Sequence, residues 1–219
     1  MLLIPVYFIY TLFVAFASCA ITDCPYKEDI EPCYCRKVAY GLIVVCTNFN
    51  STSSLERAFK RMRNYYVTSV LFHRLNLTDA LPNDLFHDTH INQFIVENST
   101  LKFSQPAFTG LDDTLLSLSV GKYSVIKSKD DFTLARLSKL QEFKMKSNNL
   151  VNIRSTWLNG KLPNVRTLVF DNNDITEIEE AAFSKLSKLE SISMANNELI
   201  SVNRSMFSKP ELTIWRLSI

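Results

Sequence analysis

Between Leu140 and Val202 the chain writes one arrangement of apolar and polar positions three times. Leu140, Phe143, Met145, Asn148, Leu150 and Ile153 stand at the same relative places as Val165, Leu168, Phe170, Asn173, Ile175 and Ile178. Leu189, Ile192, Met194, Asn197, Leu199 and Val202 repeat them again, and the three starts lie 25 and 24 residues apart. Inside each copy the fourth and sixth positions are apolar, the period-two spacing of a short strand with one buried face. Weaker copies precede these. Val67, Val70, Phe72, Leu75 and Leu77 make the first; Ile91, Phe94, Val96, Ser99 and Leu101 the second; Leu115, Leu118, Val120, Tyr123 and Val125 the third. Leu212, Trp215 and Leu217 open a seventh, and the chain stops inside it.

A single unit of this kind cannot bury its own apolar face, so successive units must stack. The spacing L-x-x-L-x-L-x-x-N-x-L at this period resembles the leucine-rich repeat. That resemblance implies an α/β solenoid: a curved parallel sheet on the concave face, with short helical or 3₁₀ turns on the convex side. The motif asparagine leaves the strand at a turn, where its amide can bond backbone groups of its own and the next unit. Asn148, Asn173 and Asn197 are expected to form such a ladder, broken in the first three units by Leu75, Ser99 and Tyr123. Phe86, Phe108, Phe132, Trp157, Phe183 and Phe207 recur once per return segment and read as a stacked aromatic spine behind the sheet. Short helical or 3₁₀ turns are expected around them, for example over Glu179 to Leu186. Ahead of the repeats, Leu55, Phe59 and Met62 share one face of a helix from Leu55 to about Met62, N-capped by Ser53 or Ser54. The chain thus divides into a signal segment at 1–20, a cysteine-rich cap and capping helix at 21–66, and repeats at 67–219.

Composition narrows the class. The 219 residues are 47% hydrophobic and 21% charged with a formal net charge of +2, so no electrostatic footprint for nucleic acid exists. Four glycines leave no room for a Gly-rich phosphate loop. Met1 to Ala20 lacks Lys, Arg, Asp and Glu, and Ala15-Phe16-Ala17 and Ser18-Cys19-Ala20 offer small-x-small cleavage sites. The segment reads as a secretory signal, with a transmembrane anchor as the competing reading. After signal removal no membrane insertion is expected. Four cysteines then remain, Cys24, Cys33, Cys35 and Cys46. An even number after an export signal points to two disulfides, in any of three connectivities, rather than to zinc.

The cap, Cys24-Pro25, Cys33-x-Cys35 and Cys46, resembles the cysteine-rich N-terminal flank of extracellular leucine-rich-repeat proteins. The pairs Cys24–Cys35 and Cys33–Cys46 are what that resemblance implies. More narrowly, Asp29-Ile30-Glu31-Pro32-Cys33-Tyr34-Cys35, Leu55-Glu56-Arg57-Ala58-Phe59 and Pro106 to Leu115 resemble secreted arthropod proteins similar to the non-catalytic subunit of a shrimp luciferase, the Oplophorus-luciferin 2-monooxygenase. This implies a secreted subunit that binds rather than catalyses. The chain departs from the extracellular family pattern in lacking a C-terminal cysteine flank, which suggests either a fragment or an end covered by a partner.

Candidate chemistry is sparse. His87-x-x-His90 has half a metal spacing and no acidic residue to complete it, and His73 stands alone. No catalytic cluster, cofactor site or metal site is expected, and the chain is read as a non-enzyme. Sequons at Asn50, Asn76, Asn98 and Asn203 are candidate glycosylation sites. Motif positions three, five and seven should face out of the concave sheet: Ser69, Leu71, His73; Gln93, Ile95, Glu97; Ser117, Ser119, Gly121; Glu142, Lys144, Lys146; Thr167, Val169, Asp171; Ser191, Ser193, Ala195. Leu71, Ile95 and Val169 are the apolar anchors of a mixed patch that also holds His73, Glu97, Lys144, Lys146 and Asp171, expected to bind a protein partner. The alternative function is a truncated ectodomain of a membrane-tethered receptor or adhesion protein.

Overall fold

A computed structural model describes residues 23–103, 108–121, 123–127, 133–160, 162–207 and 217–218. The expected signal segment, Phe132, Leu212 and Trp215 lie outside the described residues.

The cap begins with helix α1 (Lys27–Ile30) and a hairpin of β1 (Cys33–Val38) and β2 (Gly41–Thr47). Helix α2 (Thr52–Arg61) follows. The rungs come next: β3 (Tyr66–His73), β4 (His90–Glu97), β5 (Thr100–Lys102), β6 (Ser117–Gly121), β7 (Val125–Lys127), β8 (Glu142–Lys146), β9 (Asn152–Ile153), β10 (Thr167–Val169), β11 (Glu177–Ile178), β12 (Ser191–Ser193) and β13 (Leu217–Ser218). One nine-stranded sheet runs β1-β2-β3-β4-β6-β8-β10-β12-β13. Every neighbouring pair is parallel except β1 with β2. Small parallel pairs β5–β7 and β9–β11 continue the rungs past the first turn. This is the curved parallel-sheet solenoid with a disulfide-stapled cap. The bridges are Cys24–Cys35 and Cys33–Cys46, as the family resemblance implies.

The sheet starts earlier than the repeat pattern suggests. Strand β2, inside the cap, is already a parallel rung, because Leu42, Val44 and Cys46 are fully buried and alternate with Ile43, Val45 and Thr47. Each rung then exits through one residue in the left-handed region: Asn48, Arg74, Asn98, Tyr123, Ser147, Asn172 and Asn196, with φ between 49° and 60°. Asparagine fills four of these seven places because its short amide tolerates that conformation best among residues with a Cβ.

The residue after each of these turns is the ladder position, and this corrects two expectations. Asn148 accepts from Ser124 N at 2.9 Å, Asn173 from Asn148 N at 2.9 Å, and Asn197 from Ile175 N at 3.1 Å. The ladder does not break before them. Ser99 Oγ accepts from Leu75 N at 3.0 Å and donates to Glu97 O at 2.8 Å. In the third unit the position belongs to Ser124 rather than Tyr123: its Oγ accepts from Ser99 N at 3.3 Å and donates to Gly121 O at 2.6 Å. That unit carries one more residue between Val120 and the turn, which puts exposed Tyr123 in the left-handed place. A serine hydroxyl can stand in because it both accepts and donates. Leu75, buried, is the true interruption.

The aromatic spine also differs from a single column. Phe86, Phe108 and Phe183 are buried, but Phe86 and Phe108 meet through the strand residue Phe94, with ring centroids 5.4 and 6.2 Å away. Phe59 of α2 and Phe72 of β3 extend this edge-to-face cluster into the cap. Phe183 stacks on Phe207 at 5.4 Å. Trp157 is partly buried and lines a cavity of about 190 Å³ with Val120, Met145 and Leu150.

Helix α2 starts at Thr52, three residues before the expected Leu55, with Ser51 as boundary residue and no side-chain cap bond. Leu55, Ala58, Phe59 and Met62 are buried, so the inward face is the one the spacing predicts. Ser53 is inside the helix, its Oγ 2.8 Å from that of Ser51. Glu179 to Leu186 forms turns rather than helix.

Candidate functional site: the concave face

Hydrogen-bond register places the outward side chains of the sheet in rows. The middle row runs Tyr34, Val45, Leu71, Ile95, Ser119, Lys144, Val169 and Ser193. Adjacent strands lie about 4.8 Å apart, so Val45, Leu71 and Ile95 are in side-by-side contact range. All three are half-buried, and Tyr34 at the edge is 50% exposed. Ile43, one row over, widens the apolar strip.

The structure thus brings Leu71 and Ile95 together as expected and adds Val45, Ile43 and Tyr34. These three were missed because their strands were read only as cap, although the alternation in Gly41–Thr47 was a legible signal. Val169 does not join them. Ser119 and Lys144 lie between it and Ile95, a separation of about 14 Å over three strand spacings. Ser69, expected to face outward, is buried, flanked by Ile43 and Gln93 in a bulged register where Thr68 is the extra residue.

The remaining rows carry the polar groups. Glu142 Oε1 lies 2.7 Å from Lys144 Nζ, while Glu142 Oε2 accepts from Ser117 Oγ at 3.0 Å. Lys146 Nζ lies 3.1 Å from Asp171 Oδ2. Asp171 Oδ1 accepts from Ser193 Oγ at 2.5 Å and from Ala195 N at 3.0 Å. Burial by itself would raise this carboxyl's pKa. The Ser193 hydroxyl, the Lys146 ammonium and the Ala195 N–H outweigh it and hold the pKa below its ordinary 3.8. His73 Nδ1 is 3.9 Å from Glu97 Oε2, at the edge of ion-pair range. The expected mixed patch is therefore two regions: an apolar N-terminal half on β1 to β4, and a C-terminal half whose charges are largely spent on one another.

Other candidates separate. His87 Nδ1 is paired with Asp88 Oδ2 at 2.8 Å, and His90 is exposed at the start of β4. Among the described residues no group of three or more His, Cys, Asp or Glu side chains converges on a metal-sized site. Among the same residues no helix is long and apolar enough to cross a membrane. All four sequon asparagines, Asn50, Asn76, Asn98 and Asn203, are exposed.

The leucine-rich-repeat family model matches residues 138–199 and 163–213. The match covers the units that carry the asparagine; the earlier rungs, with Leu75, Ser99 and Ser124 in its place, fall outside it. Together with the stacked parallel sheet, this makes the fold a leucine-rich-repeat solenoid, an architecture whose stacked repeats present an extended concave surface. No curated protein matches the chain.

Proposed function

We propose that this chain is a secreted, non-catalytic binding protein that holds a protein partner against its concave face, as a subunit of a larger extracellular complex. The observation that carries this is the ladder Val45, Leu71 and Ile95: three aliphatic side chains on adjacent hydrogen-bonded strands, half-exposed on a concave surface. Scattered surface aliphatics are ordinary, whereas a contiguous row in a concavity is a binding signature. Export is supported by the apolar, uncharged segment at 1–20 and by two bridged cysteine pairs, which persist in oxidising compartments.

The face is electrically neutral. Arg36, opposite Ile43 on β1, together with Lys144 and Lys146 balances Glu97, Glu142 and Asp171. The partner segment is accordingly apolar at its centre, and its binding changes little with salt. The test immobilises the full chain and compares retention of its partner from secreted fluid with that of Leu71→Asp, Ile95→Asp and Val169→Asp. Leu71→Asp and Ile95→Asp are expected to weaken binding at least about 30-fold, the effect of losing a central anchor. Val169→Asp retains it. Unchanged affinity in both N-terminal variants, with folding intact by circular dichroism, removes the reading.

A further inference from the structure

The three sequons nearest the N-terminus follow three consecutive strands. Asn50 comes after β2, Asn76 after β3 and Asn98 after β4, the same strands that carry Val45, Leu71 and Ile95. Their post-strand segments run side by side: Asn76 N donates to Phe49 O at 3.3 Å, Leu77 N to Thr100 O at 3.0 Å, and Thr100 N to Leu75 O at 2.8 Å. Asn50, Asn76 and Asn98 therefore share one flank, the edge where strands end. From Ile95 to Asn98 is three residues, about 10 Å along an extended strand.

Two features set these asparagines apart from the rest. Each exposes its side chain, whereas ladder Asn173 is buried and bonded and ladder Asn148 and Asn197 are partly buried and bonded. None of the three ladder asparagines begins a sequon. The opposite edge, where Gly41, Tyr66 and His90 begin their strands, carries no sequon at all. Asn203 sits in a return segment, away from this flank.

We infer that Asn50, Asn76 and Asn98 all carry N-linked oligosaccharides, which form a fence along the strand-end edge of the apolar ladder. A bulky, solvated glycan on each of three adjacent rungs shields half-exposed aliphatics from non-specific association. It also leaves the partner one way in, across the strand-start edge. The inference rests on the secretion reading, because only a chain entering the secretory route meets the glycosylating enzyme.

The test expresses the full chain in a eukaryotic secretory host, with its own N-terminus and, in parallel, behind an added foreign secretion signal. Glycosidase release in heavy-oxygen water marks each formerly glycosylated asparagine as a labelled aspartate in peptide mass spectra. All three asparagines labelled is the expected result. Any one of them unmodified in secreted, disulfide-bonded protein overturns the fence. Retention in the cytosol with free thiols in the first arm defeats the secretion reading, and the second arm still decides the glycans. Thr52→Ala, Thr78→Ala and Thr100→Val remove the sequons without disturbing the left-handed turn at Asn98. That triple variant is expected to lose three glycan steps in mass and to self-associate in sedimentation. A monomer as soluble as the parent refutes the shielding role.

Discussion

Replacing Asn173 with alanine tests the ladder at its most demanding rung. The side chain is only 6% exposed. Its Oδ1 accepts from Asn148 N at 2.9 Å and Leu150 N at 3.3 Å; its Nδ2 donates to Met145 O and Phe170 O, each at 2.8 Å. Four backbone groups lose this contact at once in a place water reaches poorly, and Phe170 O alone keeps a second side-chain donor, Asn197 Nδ2 at 2.9 Å. A buried hydrogen bond contributes about 1 kcal/mol net, and an abandoned buried polar group costs about 1–3 kcal/mol. The bonds share one amide and relax together, so a loss of about 3–4 kcal/mol is expected rather than the full sum. Asn197→Ala gives a smaller loss of about 2 kcal/mol, because it is less buried and bonds one N–H with Phe170 O and Met194 O. Ser99→Ala, which removes one acceptor and one donor contact, costs about 1–2 kcal/mol. Urea unfolding of the oxidised protein, followed by far-ultraviolet circular dichroism, ranks the three. Should Asn173→Ala unfold at the parent's midpoint, or prove milder than Ser99→Ala, the ladder is not what joins the rungs.

Three further outcomes follow from the same contacts. Asp171 has its pKa depressed on folding, so its contribution to stability is present above the ordinary carboxylate value and disappears as pH falls through the folded one. Melting temperature against pH should therefore decline more steeply below about pH 4 for the parent than for Asp171→Asn, the two curves converging in acid; parallel curves would contradict this. Removing the Cys33–Cys46 bridge by a double Cys→Ala change opens a crosslink of sequence separation 13 and is expected to cost about 3 kcal/mol, read as a lowered urea midpoint. Phe94→Ala removes the ring that joins Phe72, Phe86 and Phe108 and should cost about 3–5 kcal/mol; a loss under about 1 kcal/mol in the same assay would show that the cluster does not hold the rungs together.

Much of this molecule is legible in one dimension because a solenoid is nearly one-dimensional. Each rung touches only its neighbours, so burial follows from local spacing without knowledge of distant contacts: Phe143, Leu168 and Ile192 are buried wherever the period recurs. The strand alternation, the asparagine ladder from Asn148 to Asn197, the capping face of α2 and the cysteine count were all written in local spacing. What spacing could not decide is lateral. That β2 joins the sheet as its first rung is settled by its parallel pairing with β3, a contact between segments that are separated along the chain by α2. The apolar ladder gains Val45 and Tyr34 only through that pairing, and loses Val169 because two strands intervene. The serine continuation of the ladder turns on which residue takes the left-handed turn, a backbone choice that one added residue before Tyr123 displaced. The grouping of Asn50, Asn76 and Asn98 on one edge is likewise a matter of register: residues 26 and 22 apart along the chain become neighbours only when the rungs stack.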